Sequence, residues 1–171
     1  LQSTGITTDT RKIEKGQLYF ALKGGNFNGN TFASKALEQG ASYAIIDEIE
    51  FKINDNYIWV ENVLNTLQQL GNYHLNQVKP NAVIGITGSN GKTTTKELVH
   101  AVLNTTFKTH YTKGNLNNHI GIPLTLLEMK PDTEIAVIEM GANHQKEIES
   151  YCKYVEPTHG IITNCGKAHL E

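Results

Sequence analysis

Val83-Ile84-Gly85-Ile86-Thr87-Gly88-Ser89-Asn90-Gly91-Lys92-Thr93-Thr94-Thr95 decides the fold. An apolar strand runs into a glycine-bracketed turn, and the turn runs into Lys-Thr-Thr and a helix. Glycines let backbone N–H groups approach an anion closely. The N-terminus of the helix adds orphan donors and the positive end of its dipole. A lysine placed there reaches the β- and γ-phosphates, and the hydroxyl after it can ligate Mg²⁺. The strict pattern G-x-x-x-x-G-K-[ST] would need glycine at position 86, where Ile86 stands. What remains is the tighter Gly88-x-x-Gly91-Lys92-Thr93. Gly88, Ser89, Asn90, Gly91, Lys92, Thr93 and Thr94 are therefore the predicted contacts to ATP.

Downstream, strands and helices alternate. Ala82 onward opens a block with an apolar strand over Val83–Thr87 and a helix carrying Leu98, Val99, Val102 and Leu103 as its expected apolar stripe. Ile135–Ile138 reads as a second buried strand, ending in Glu139-Met140-Gly141. Gly160–Asn164 reads as a third. Repeated βα units imply a parallel sheet covered on both faces. Ligands on such sheets bind outside the carboxyl ends of the strands. Gly88–Thr93, Glu139 and the Asn164–His169 segment each follow a strand end, so the three converge on one crevice. A carboxylate directly after four apolar strand residues is costly to bury unpartnered. A Mg²⁺ shared with the Thr93 hydroxyl would partner Glu139. His169 joins the candidate set by its position. His74, His100, His110, His119, His144 and His159 show no zinc-protease spacing, and His100, off the stripe, reads as solvated. Thr112–Gly121 contains Asn115, Asn117 and Asn118 after Gly114, a polar loop whose amides suit phosphate and carboxylate recognition.

Upstream, Leu1–Val78 reads as a small mixed α/β block. Leu18–Leu22, Tyr43–Ile46 and Tyr57–Val60 are expected strands, with Lys23–Asn30 a loop. Phe32, Ala36 and Leu37 recur at helical spacing before Gly40, a fitting C-terminal glycine. Asn62 can cap a helix bearing Val63, Leu67 and Leu70. Lys79-Pro80-Asn81 is the expected joint, giving domains 1–79 and 80–171. The fold class is thus α/β: a small mixed domain, then the front of a parallel-sheet P-loop domain.

Composition narrows the function. The 171 residues hold 15 Lys+Arg against 17 Asp+Glu, a net charge of −2, which gives no electrostatic case for a nucleic-acid partner. Hydrophobic residues make up 39%, enough for a packed core, yet no run of about 18 apolar residues marks a membrane span. No signal peptide is visible at Leu1-Gln2-Ser3-Thr4. Cys152 and Cys165 fit neither a zinc pair nor a redox pair and read as reduced thiols of a cytoplasmic protein. Both ends read as cut.

These residues carry a family resemblance. Thr87–Glu97 resembles the nucleotide loop of the Mur ligase superfamily, which is likewise tighter than the strict Walker pattern. Gly114–Leu127, Ile138–His144 and Ile162–Glu171 are closely similar to its MurF branch. Thr8-Asp9-Thr10-Arg11 and Leu18–Gly24 resemble the UDP-sugar domain of the same enzymes. The resemblance implies an ATP-dependent ligase of peptidoglycan precursor synthesis. It would join D-alanyl-D-alanine to UDP-MurNAc-tripeptide through an acyl phosphate, in the cytoplasm and as a monomer. It implies roles residue by residue. Lys92 would neutralise phosphate charge. Thr93 and Glu139 would hold one Mg²⁺, and Glu139 and His169 a second. Asn115 and Asn118 would face the γ-phosphate and acyl substrate, and Thr10 and Asn26 the uracil end. The family has three domains, so this chain, corresponding to the first and the front of the second, is expected to bind ligands weakly and not to turn over alone. Two positions depart from the family pattern. Asn28-Gly29-Asn30 stands where Asp-Gly-His is usual, and Lys146 stands where Gly is common before Glu-Ile. On residues alone three alternatives stay open: a sister or folylpolyglutamate-type ligase, a P-loop kinase or ATPase of another class, and a non-catalytic module.

Overall fold

The computed structural model describes residues 3–166. His169 and the other residues of 167–171 lie outside them. The chain divides into two compact units, Leu1–Leu67 and Gln68–Glu171, and each is described by itself.

The first unit contains β1 (Ile6–Thr7), β2 (Leu18–Phe20), a hairpin of β3 (Lys23–Gly24) and β4 (Phe27–Asn28), α1 (Ala33–Glu38), β5 (Tyr43–Ile46) and β6 (Tyr57–Trp59). β1, β2, β5 and β6 form one parallel sheet in that order. Tyr19, Ala33, Ala36, Ala44, Ile46 and Tyr57 pack its core. Gly40 has φ +108°, the left-handed value that lets a chain leave a helix sharply. The segment expected to be a plain loop, Lys23–Asn30, instead folds back as the β3–β4 hairpin and enters a 3₁₀ turn at Gly29–Phe32. The cause is local. Asn28 Oδ1 accepts from the Asn30 N–H at 3.0 Å, and a buried Asn30 Nδ2 donates to Asp47 at 2.9 Å. Asn30 thus bridges two strand connections, which accounts structurally for one departure from the family pattern.

Helix α2 (Val63–Val78) starts where Asn62 Oδ1 accepts the Asn65 N–H at 2.8 Å, an N-terminal cap as expected.

The second unit contains β7 (Ala82–Thr87), α3 (Lys92–Leu103), β8 (Thr109–Tyr111), α4 (Gly121–Leu127), β9 (Ile135–Glu139), α5 (Glu147–Val155) and β10 (His159–Ile162). Its parallel sheet runs β10-β7-β9-β8. Strand side chains alternate between faces. Ile135 and Val137 pack with Ile86, Val99 and Leu103 beneath α3. Ala136 and Ile138 pack on the other face with Leu126, Met129, Tyr151 and Val155 of the α4–α5 side. The same alternation puts Glu139 on the α3 side.

That placement reverses part of the expected α3 stripe. Leu98 and Val102 are 63% and 69% exposed, whereas Lys96 is fully buried. The helix presents Thr93, Lys96, Val99 and Leu103 to the sheet because polar residues must meet Glu139 at its first turns. Apolar periodicity alone cannot signal this. His100 is also not solvated. Its ring stacks on Tyr111 at 3.7 Å between centroids, and its Nδ1 lies 2.7 Å from the Thr109 hydroxyl.

Lys146, the second departure, precedes α5 with φ +69°. A side chain there costs about 1–2 kcal/mol that glycine avoids, against a smaller entropic gain in the unfolded chain. Lys146→Gly should therefore raise unfolding stability by up to about 1 kcal/mol in urea titration. Lys146→Ala should not.

Candidate functional site

The nucleotide loop is built by backbone conformation before any side chain contributes. Gly88 has φ +138°, and a Cβ there would collide with the Thr163 hydroxyl. Gly91, which caps α3, has φ +80°. The chain turns tightly enough that β7 delivers the first turn of α3 directly over the sheet edge. The N–H groups of Gly91, Lys92, Thr93 and Thr94 sit at the helix start, where no intrahelical acceptor exists. Those of Ser89 and Asn90 are engaged differently from expectation. They donate to the carbonyl and Oδ1 of Asn164 at 3.2 and 3.0 Å. Thr163 Oγ1 donates to the Asn90 carbonyl at 2.6 Å, and Ser89 Oγ to that of Gly166 at 2.9 Å. The segment after β10 therefore braces the loop, and the amides free for an anion are those from Gly91 onward. Lys92 folds back, its Nζ donating to the Gly88 and Ser89 carbonyls at 2.6 and 3.2 Å. A cavity of about 560 Å³ opens here, lined by Gly88, Lys92, Asn143, His144, Asn164 and Cys165 among others.

Glu139 lies at the end of the neighbouring strand, one register step from the loop: Ile86 of β7 pairs with it. Its side chain is 1% exposed, so it does not face solvent. Oε1 accepts from Asn117 Nδ2 at 2.7 Å and from Thr93 Oγ1 at 3.2 Å. Its own N–H donates to the buried Thr112 hydroxyl at 3.0 Å. Oε2 is buried, and no hydrogen-bond donor among the described residues reaches it. Lys96 Nζ stands 3.6 Å from Oε2. A carboxylate with one oxygen beside a threonine hydroxyl and the other without a hydrogen-bond donor offers hard oxygen ligands of the sort Mg²⁺ takes while keeping waters and phosphate oxygens. The residues present fit that cation.

The asparagine loop divides by role. Asn117 touches Glu139, and Gly141 makes room for it, since a Cβ on Gly141 would lie 3.0 Å from the Asn117 amide carbon. Asn118 Oδ1 instead accepts the N–H groups of Ile120 and Gly121 at 3.1 and 2.8 Å, starting α4. Asn115 is exposed on the turn before them. Sequence reasoning chose Asn115 and Asn118 and missed Asn117 and Lys96. Three asparagines in four positions carry no signal for which one faces inward. Opposite the loop, Glu147 Oε2 accepts the N–H groups of Asn143 and His144 at 2.6 and 3.0 Å. These donors, His144 first, hold the Glu147 carboxyl below its usual range.

In the first unit, a separate cavity of about 610 Å³ is lined by Thr8, Asp9, Thr10, Arg11, Phe27 and Lys35, with Phe32. Arg11 grips Asp9 through two donors at 2.9 and 2.8 Å, and this pairing lowers the Asp9 carboxyl to about 2. Phe27 stacks on Phe32 at 5.2 Å. Thr10 lies in this cavity, while Asn26 is exposed at the hairpin turn beside Phe27.

With this geometry in place, likeness to known proteins becomes informative. Residues 86–171 match the Mur ligase middle domain, and residues 2–83 match the Mur ligase family catalytic domain. The UDP-N-acetylmuramoyl-tripeptide–D-alanyl-D-alanine ligase of Bacillus subtilis is 45% identical over 98% of this chain and 37% of its own length. A MurF crystal structure from Acinetobacter baumannii superposes with TM-score 0.90 at 40% identity, over 97% of this chain and 36% of that one. MurF ligase from Thermotoga maritima, solved in complex with ADP, gives 0.88 at 34% identity, over 97% and 38%. The chain thus spans less than two fifths of the length of these relatives. The braced glycine loop, the buried carboxylate beside it and the two matched domains together show that the chain belongs to the Mur ligase family.

Proposed function

We propose that this chain carries the nucleotide loop and the UDP-sugar region of an ATP-dependent ligase that joins D-alanyl-D-alanine to UDP-MurNAc-tripeptide. The observation that carries this reading is Glu139, buried at a strand end and bonded to the hydroxyl of the residue after the loop lysine. The names of the relatives support the choice of substrates. Residues 1–79 are assigned to the UDP-sugar domain and 80–171 to the front of the ATP domain.

In this reaction ATP phosphorylates the terminal carboxylate of the tripeptide, and ADP leaves. The amine of D-alanyl-D-alanine then attacks the acyl phosphate, inorganic phosphate leaves, and an amide forms. Phosphoryl transfer asks the protein mainly for position and electrostatic stabilisation. The amides from Gly91 to Thr94 bind the phosphate oxygens, with Ser89 and Asn90 keeping the loop in shape. Lys92 leaves the loop carbonyls and neutralises β/γ charge. Thr93 and Glu139 would hold Mg²⁺, which supplies further charge neutralisation at the phosphates. His169, outside the described residues, is assigned to the same set. Asn115 and Asn118 are assigned to the acyl-substrate side by resemblance, and Asn117 orients Glu139. Thr10 and Asn26 are assigned to the uridine end, where Phe27 offers a flat apolar face.

The protein is proposed to act in the cytoplasm as a monomer, with small molecules as its ligands and neither nucleic acid nor membrane insertion involved. No helix among the described residues is long and apolar enough to cross a membrane.

Two outcomes test this. Mg·ATP should raise the melting temperature of the protein, and Lys92→Ala and Glu139→Gln should each abolish the rise. D-alanyl-D-alanine-dependent phosphate release by the full-length protein should fall on the order of a hundredfold or more in either variant. UDP-MurNAc-tripeptide should bind in calorimetry, and Phe27→Ala should weaken that binding by about tenfold, roughly 1.4 kcal/mol, while leaving the Mg·ATP shift unchanged. An undiminished shift in both Lys92→Ala and Glu139→Gln would contradict the assignment of the loop.

A further inference from the structure

Lys96 is the most unusual charged residue among those described. Its side chain has no solvent exposure, although it lies on α3 only one turn from the helix start. A buried ammonium needs close partners. Those of Lys96 are few and mostly long. Glu97 Oε1 lies at 3.0 Å but belongs to a half-exposed side chain. The Gly114 carbonyl lies at 3.5 Å, and the Tyr111 ring centroid at 5.6 Å. The fourth partner is Glu139 Oε2 at 3.6 Å, the same oxygen that lacks a hydrogen-bond donor. Two fully buried opposite charges thus face each other at a distance too long for a hydrogen bond and short enough for a strong Coulomb attraction.

We propose that Lys96 is a positioning residue for Glu139. Its ammonium supplies the counter-charge that lets the carboxylate stay buried and aimed at Thr93 before a divalent cation binds. Three features fit. Asn117 and Thr93 both hold Oε1, so they fix one oxygen and leave the other to Lys96. The gap at Oε2 leaves the carboxylate free of a tight bond that a cation would have to break. The Tyr111 ring, with its centroid 5.6 Å from Nζ, and the Gly114 carbonyl at 3.5 Å give the ammonium other partners away from Oε2. A lysine in this place has a second consequence. Its charge opposes cation binding, so it lowers the affinity of the site for Mg²⁺ alone and makes retention depend on the phosphates that arrive with it. This second consequence rests on the assignment of Thr93 and Glu139 to Mg²⁺.

A double-mutant cycle tests the proposal by unfolding, with no activity readout. Lys96→Met alone should increase the unfolding equilibrium constant on the order of a hundredfold or more, because it strands a buried carboxylate. In a Glu139→Gln background the same change should cost less than about tenfold. If Lys96→Met fails to fold while the double variant folds, the coupling is present. Equal losses in both backgrounds, including failure of both to fold, would show that Lys96 acts through packing or through Glu97 and would overturn the proposal. The second readout is a thermal-shift titration with Mg²⁺ alone, no nucleotide present, on whichever of these variants folds. Lys96→Met should bind Mg²⁺ about tenfold or more tightly than the parent protein, and the double variant should lose that gain. Where only the double variant folds, any Mg²⁺ shift it shows above that of the parent protein counts against the cation part. Unchanged Mg²⁺ affinity in Lys96→Met would overturn that part. Stabilisation of the unmutated protein by Mg·ATP reports on the nucleotide site by itself, so failure of that reading is distinguishable from failure of the Lys96 proposal.

Discussion

A carboxylate placed inside a protein must be answered by something, and here the answer organises the site. Glu139 ends β9 on the face covered by α3. Burying it draws on two elements: α3 supplies the Thr93 hydroxyl as a donor from its first turn and the Lys96 ammonium as a counter-charge from the next, and the loop before α4 supplies the Asn117 amide as a second donor. Each of those elements is held in place by this requirement. The rotation of α3 about its axis follows from it, which is why Leu98 and Val102 face outward while a lysine is buried. The close approach of the asparagine loop follows as well, with Gly141 clearing the space. An uncompensated charge at this point would cost several kcal/mol, more than any single apolar contact nearby contributes.

The phosphate loop depends on a second constraint, the direction of its backbone. Two glycines with positive φ set the turn, and Thr163, Asn164 and Gly166 clamp Ser89 and Asn90 from the side. The clamp explains a division of labour inside the loop. Some amides hold the loop to its own sheet, and those at the helix start stay available to an anion. Strand order supplies the clamp, because β10 is the neighbour of β7 on the side opposite β9. Glu139 and Asn164 thus flank the same turn, one for charge and one for shape.

Much of this was legible in the residues. The strand–turn–helix order at Val83–Thr95, the Asn62 cap and the Gly40 exit all follow from short-range chemistry, and each appears where expected. Glu139 was legible because a charge after an apolar strand is anomalous in itself. What the sequence could not express were relations across the sheet. Nothing in Gly114–His119 says that Asn117 rather than Asn115 or Asn118 points inward, since the answer depends on where β9 ends. Lys96 carries no mark of burial in the sequence, and its buried counter-charge lies 43 positions away at Glu139. The α3 stripe was misjudged for the same reason, because apolar periodicity was overridden by a polar demand. Asn30 and Lys146 show the opposite case. Both were visible as departures from a family pattern; side-chain hydrogen bonds to Asn28 and Asp47 give Asn30 a physical meaning, and a positive φ gives Lys146 its own.

The central claim is that the buried Glu139 carboxylate and the Thr93 hydroxyl share the cation that accompanies the triphosphate. A crystal structure of the protein with a non-hydrolysable ATP analogue and Mn²⁺ in place of Mg²⁺ measures this directly, through the anomalous signal of the metal. The account predicts a peak bonded to Glu139 and Thr93 at about 2.0–2.2 Å, with the phosphates on the amides from Gly91 to Thr94. A peak held elsewhere, with Glu139 still enclosed by Asn117 and Lys96 alone, would contradict it.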